Sequence, residues 1–336
     1  MARSKYTSAA FLGSFCAALA LSSLPARADN GGLSFYLPGT FGSLAAAPLV
    51  PGWAYSTIYL HVAQSAGGGK SFAQGGSVVL GLNATADALV QGISYTFATP
   101  VLGAQATVAV LAAPGNIGVG IDGRITGPAG NTISGSTGDN RFTVSDVFYQ
   151  GSLKWNQGVH NEMVYVSGNI PSGTYDPNRL ANLSFGFTAV DFGAGYTYFD
   201  PKTGHEFSIV GGMTYSGTND DLQYQNGIDF HIDWAASQFI SKNVHVGLAG
   251  YYFQQLTGDS GAGARLGDFK GRVFGIGPQV GFIIPLSEGY QGYLNLKAYK
   301  DIEAQNRPEG YTAWLTFSVS NAPPEHATPA KPTYRK

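Results

Sequence analysis

The chain has 336 residues, of which only 12% are charged, with 47 Gly, 19 Tyr, 20 Phe and a formal net charge of −2. Soluble domains average about 25% charged residues, so the composition argues against a cytosolic enzyme, and the balance carries no nucleic-acid footprint. No stretch after the N-terminus holds about 20 consecutive apolar residues, which excludes a helical membrane protein, whereas a mean hydropathy of −0.01 fits a wall with one greasy and one polar face.

The chain opens on an address. Arg3 and Lys5 give a positive start, 9–24 is apolar, and Ala26-Arg27-Ala28 is a small-x-small cleavage site. Residues 1–28 are therefore expected to be a signal peptide; the short apolar run disfavours a retained anchor. Processing leaves 16 Lys+Arg against 21 Asp+Glu, a net of −5, and removes the sole cysteine, Cys16. An exported chain without disulfides suits a barrel whose closed hydrogen-bond network already holds it. Residues 29–51 are rich in Gly, Pro and small residues, with Tyr36-Leu37-Pro38-Gly39-Thr40-Phe41-Gly42 prominent and no periodicity. Such a segment is either a plug folded into a lumen or a flexible periplasmic leader.

Strand signals follow in a regular rhythm. Residues 53–62 set Ile58, Leu60 and Val62 on one face and Tyr59 and His61 on the other, and 65–76 is expected to be a Gly-rich loop. Strands are expected over 79–97 and 105–124, with a polar loop over 127–140. In 142–155, Val147, Tyr149, Leu153 and Trp155 face outward, against Asp146, Phe148, Gln150 and Lys154 inward. Strands at 159–169, 183–199 and 206–215 come next, the last two joined by Asp200-Pro201-Lys202-Thr203-Gly204, in which Pro presets φ and Gly accepts positive φ.

The hairpin over 227–255 carries the plainest signal. Ile228, Phe230, Ile232, Trp234, Ala236 and Ile240 share one face; Asp229, His231, Asp233 and Ser237 share the other. Val244, Val246, Leu248 and Tyr252 then alternate with His245, Gly247, Ala249 and Tyr251. A soluble sandwich would put many Lys and Glu on its polar face. Here that face is small, aromatic and sparsely charged, so the greasy face is assigned to lipid and the other to a lumen. Strands at 272–285, 291–301 and 310–320 close the series, the last two separated by a charged loop at 303–309. Residues 321–336, rich in Pro, Ala and Lys, read as a disordered periplasmic tail.

Turns alternate short and long, the habit of outer-membrane barrels with short periplasmic turns and longer extracellular loops. Tyr95, Phe97, Trp155, Tyr198, Phe239 and Tyr290 gather beside the short turns, as an interfacial girdle requires. The expected fold is all-β: a transmembrane antiparallel up-and-down β-barrel of about 12 strands over residues 52–320.

Asp229, His231, Asp233 and His245 invite a metal or acid–base site, but a zinc site needs three or four convergent ligands. A lumen-lining polar row is the simpler account, so no metal or other cofactor is expected. Asp220, Asp221 and Asp259 lie in outer loops, where solvated residues are the ordinary case. No spacing pairs a Ser with His160, His205 or His231 as a hydrolase nucleophile would need. The inward set mixes Phe185, Tyr293, Tyr299, Asp191, Gln279, Asn295 and Lys297 with the residues above. Aromatic surface with occasional polar groups suits an apolar solute with a polar handle. The expected solute contacts are Asp229, His231, Asp233, His245, Tyr251, Phe253, Phe187 and Trp314.

Several short motifs, in order, resemble one family. They are Tyr36-Leu37-Pro38-Gly39, Gly52-Trp53-Ala54-Tyr55, Ser145-Asp146-Val147 leading to Leu153-Lys154-Trp155, and Pro171-Ser172-Gly173-Thr174-Tyr175. Asn226-Gly227, 250–255, Gly277-Pro278 and Asn306-Arg307-Pro308-Glu309-Gly310 complete the set. Together they resemble the outer-membrane transporters of the phenol meta-pathway (SphA-type) family. The resemblance implies passive uptake of hydrophobic or aromatic compounds across a Gram-negative outer membrane, in the manner of fatty-acid and toluene channels. It carries over no binding residues. The expected partners are outer-membrane lipid and lipopolysaccharide, barrel-assembly machinery and the solutes themselves. A general diffusion porin or structural barrel, and an outer-membrane lipid hydrolase, are the alternatives.

Overall fold

A computed structural model describes residues 34–71, 77–264, 270–287 and 289–323. The expected signal peptide and all but the first residues of the expected C-terminal tail lie outside them. The described chain is all strand: β1 (Gly52–Ser71), β2 (Ser77–Thr96), β3 (Gln105–Ala112), β4 (Pro114–Thr126), β5 (Thr132–Val144), β6 (Val147–Gln157) and β7 (His160–Ile170) come first. β8 (Ala189–Asp200), β9 (His205–Ser216), β10 (Asp229–Ser241), β11 (Val244–Gln255), β12 (Arg272–Ser287), β13 (Tyr290–Gln305) and β14 (Glu309–Asn321) follow.

Every pairing is antiparallel and most join chain neighbours, and β1 pairs with both β2 and β14, so the sheet closes. β2 pairs with β3 along one part and β4 along the rest; β3 then pairs with β6, and β4 with β5. β3–β4 and β5–β6 are thus two bent staves, and the barrel has twelve. The bends have a local cause. Pro114 brings no N–H to the ladder, and the Ala113 N–H turns to Ser145 Oγ at 2.8 Å while Ala113 O accepts from Ser145 N at 2.8 Å. Closure gives the staves neighbours on both sides, as a lipid environment demands; β5, which pairs only with β4, is the exception among the described residues.

The three longest connections, β7–β8, β9–β10 and β11–β12, all lie at one end, as expected, although that end also carries the short β4–β5 and β13–β14 connections. At the short end Trp53 packs on Tyr95 at 4.9 Å and Phe199 on Phe239 at 4.8 Å, part of the aromatic girdle. The alternation in β10 holds: Asp229, His231 and Asp233 are at most 1% exposed, while Ile240 is 65% exposed on the outer wall.

Four boundaries differ from expectation. β1 continues to Ser71 through the stretch expected as a loop, of which 72–76 lie outside the described residues. The expected loop 127–140 is mostly β5. β8 begins at Ala189, so Phe185 and Phe187 come from the inturned 171–188 connection and not from a strand. β13 and β14 run to within a few residues of each other. In β1 the apolar face is the inner one. Leu60 and Val62 point inward, Leu60 against the cluster holding Trp314 and Val62 against Ala86 and Ile117, while Tyr55 and Tyr59 face out.

Candidate functional site

The interior is occupied by the chain's own residues 34–50. At the long-loop end Arg307 donates to Ser34 Oγ at 3.3 Å; at the short-turn end Leu49 N donates to Gln105 Oε1 at 2.6 Å. Between these points the segment makes no ladder, so its backbone groups need other partners. Inward side chains of the wall supply them.

Asp233 accepts from Tyr36 OH at 2.6 Å, Gly39 N at 2.9 Å and Phe41 N at 2.8 Å. Lys297 Nζ donates to the carbonyls of the same turn, Gly39 at 2.8 Å, Thr40 at 3.2 Å and Phe41 at 3.3 Å. One carboxylate thus gathers the N–H side of residues 39–41 and one ammonium the C=O side. Further on, Glu206 accepts from Ser43 Oγ at 2.7 Å and Leu44 N at 2.9 Å, Thr197 Oγ1 from Ala46 N at 3.0 Å, and Lys154 donates to Ala47 O at 3.1 Å. Buried charges are tolerable only when so satisfied.

Tyr36 stacks on His231 at 3.3 Å between centroids. His231 Nε2 lies 2.9 Å from Asp191 Oδ2, which also accepts from Thr214 at 2.6 Å. Gly39 is at φ +87°, and a Cβ there would lie 2.8 Å from Tyr299 Cε2 and 3.3 Å from Tyr251 Cδ1. Only glycine lets the backbone come this close in that conformation.

All eight expected contact residues are buried toward the interior, but in separate neighbourhoods. Asp233 and His231 hold Tyr36, and Asp229 accepts from Asn226 at 2.9 Å. His245 faces Tyr293 OH at 3.0 Å near the short turns. Tyr251 donates to Asp301 at 2.5 Å, and with Phe253 and Trp314 belongs to one apolar cluster. Phe187 sits at the other mouth, 5.6 Å from Phe185. There Phe35 of the N-terminal segment meets Phe148 of β6 at 5.9 Å and Phe185 at 6.1 Å. Asp146 pins this connection, accepting from Asn169 at 2.7 Å, Gly173 N at 3.2 Å and Ser184 Oγ at 2.5 Å. Sequence reasoning missed the roles of Glu206 and Thr197. A lone inward carboxylate on an otherwise small-residue face was the available signal.

A family model described as "Putative MetA-pathway of phenol degradation" matches residues 67–317. The chain belongs to this family. The match covers most of the barrel and begins beyond the segment that fills it. Among solved structures, the COG4313 outer membrane channel from Pseudomonas putida F1 is similar, at 14% identity and TM-score 0.60, over 85% of this chain and 100% of that one. At that identity the likeness shows the fold alone: that of an outer-membrane barrel. A Pseudomonas aeruginosa FadL homologue (7% identity, 83% of this chain, 91% of that one, TM-score 0.36) and the NalP translocator domain from Neisseria meningitidis (11%, 82%, 90%, 0.31) are looser likenesses. No curated protein matches the chain in sequence.

Proposed function

We propose that this family member is a channel, not an enzyme, for passive inward passage of small apolar or aromatic compounds, closed at rest by residues 34–50 acting as a plug. The observation that carries the proposal is the half-buried aromatic cluster of Phe35, Phe148 and Phe185 at the long-loop mouth. It offers a ring-shaped solute stacking surface where entry from outside would begin. One member, Phe35, belongs to the plug itself, so a solute there touches the part that must move.

Below the mouth, Tyr251, Phe253 and Trp314 provide further weak contacts. Asp229, His231, Asp233 and His245 provide polar handles, the Asp233 carboxylate and the ring face of His231 being uncovered once residues 36–41 depart. The concentration gradient drives net flow. A general diffusion porin would keep a wide aqueous lumen, and a segment tied to Asp233, Glu206, Lys297 and Lys154 argues against that.

The test pairs two measurements on one protein. Planar bilayers should show little steady ionic current, and a deletion strain complemented with the chain should regain uptake of a labelled monocyclic phenol. Large steady currents with no gain in phenol uptake would sink the proposal in favour of a porin.

A further inference from the structure

The outer wall is not uniform. Around most of the barrel the outward residues are apolar, as with Val164, Phe192, Leu248 and Leu315, each at least 42% exposed. The sector of β2, β4 and β5 departs from this. Cross-strand register aligns Asp87 with Asn116 and Phe142, then Thr85 with Gly118 and Asn140, then Asn83 with Gly120 and Gly138. These residues share a parity opposite to the inward Ala86 and Ile117, and therefore face out.

Among them lies an open hollow of about 400 Å³, walled by Asn83, Thr85 and Asn140 over the glycines 118, 120 and 138. Thr85 Oγ1 and Asn140 Nδ2 lean over the floor, 3.0 and 3.3 Å from where a Cβ on Gly118 would stand. Over Gly120 no atom lies within 4 Å. Phe142, 66% exposed, flanks the hollow on one side, and Arg124 lies exposed further toward the long loops.

Height along the wall narrows the choice of ligand. Tyr95 marks the short-turn interface. Thr85 stands about ten residues further along β2, roughly 25 Å of tilted strand, which is the height of the apolar band of such barrels. The hollow thus opens where outer-leaflet headgroups begin. Its amides and hydroxyl offer paired donors and acceptors for sugar hydroxyls. A bare glycine floor admits a ring to the backbone, and an aromatic face supports its apolar side.

We propose that this hollow holds the core saccharide of an outer-leaflet lipopolysaccharide molecule. The site lies on the opposite side of the wall from the lumen and stands independently of the channel proposal. An apolar solute would leave Asn83, Thr85 and Asn140 unpaired, and a second barrel would find no broad apolar patch.

The test uses full-length protein, taken from the outer membrane into lipopolysaccharide-free detergent and titrated with rough-type lipopolysaccharide. Asn83→Ala/Asn140→Ala removes the polar walls. Gly120→Val fills the floor into open space, at a position outside the left-handed φ region. Each variant should bind about tenfold or more weakly, the worth of one or two lost hydrogen bonds. Lipid-free core oligosaccharide should compete with binding to wild type. Heat-modifiable gel migration and phenol uptake should match wild type in both variants. Equal affinity in wild type and a folded Gly120→Val, or no competition by the oligosaccharide, would overturn the assignment, since binding would then belong to the acyl chains alone.

Discussion

Asp233 brings a carboxylate to a fully buried position and receives three donors there, all from residues 36–41. Hydrogen bonds to charged groups are worth about 1.5–3 kcal/mol each. Asp233→Ala should therefore free the segment while sparing the barrel. Limited proteolysis should cut within residues 34–50 only in the variant, and bilayer current should rise. Tyr36→Phe loses one bond but keeps the stack on His231, so its effect should be smaller, about 1 kcal/mol. Gly39→Ala meets both a ring 2.8 Å away and an unfavourable φ, and should resemble Asp233→Ala in the same assays. Protection of the segment in Gly39→Ala equal to wild type would show that Tyr299 and Tyr251 yield easily. The inward placement of Asp233 was legible from alternation with Phe230, Ile232 and Trp234. Its partners were not, because they lie more than 190 residues away in sequence.

Strands with two different environments on their faces were the readable elements. β10 and β11 alternate cleanly because lipid touches one side and packed side chains the other. β5 was mistaken for a loop because it rises beyond the apolar band, where its Gly, Ser, Thr and Asn residues show no alternation. β1 reversed the rule for another reason: its inward neighbours, Trp314, Ala86 and Ile117, are themselves apolar, so apolar Leu60 and Val62 suit the inside. The segment 34–50 is the element whose motion the channel proposal needs, and it offers a direct lock. Ser43 Oγ and Ser237 Oγ lie 2.8 Å apart. Ser43→Cys/Ser237→Cys should form a disulfide on oxidation, with no other cysteine beyond Cys16 to interfere. Phenol uptake should fall under oxidant and recover with reductant. Uptake unaffected by a disulfide shown to have formed would mean that this part of the segment stays in place during transport.

At the scale of the molecule, closure by β1 and β14 turns a sheet into a wall with an inside. Gly310 fits the seam where a Cβ would stand 2.0 Å from Ala63 O, so the final pairing is close and leaves little room for a side chain. Outward charge should be costly. Leu248, 50% exposed on β11, faces lipid in the strand's middle part. Leu248→Lys should lower folding free energy by about 2–4 kcal/mol in phospholipid vesicles, read from the shift of a guanidinium titration. A shift within error would place that side chain in water. Lys297, by contrast, is buried on the inner face and satisfied by three carbonyls. The same residue type is thus acceptable or costly according to side alone.

The order of residues by itself determined the class of wall, its count of staves, the short and long ends and the inward side of β10. Each follows from a local fact: turn residues punctuate the staves, and the two-residue pleat fixes each side chain's face without reference to distant chain. What fills the wall was decided only in three dimensions. Whether residues 34–50 would trail free or lie within the barrel turned on the meeting of Asp233, Glu206, Lys297 and Lys154 around one irregular backbone. Those side chains are scattered from β6 to β13 and converge only when the ring closes.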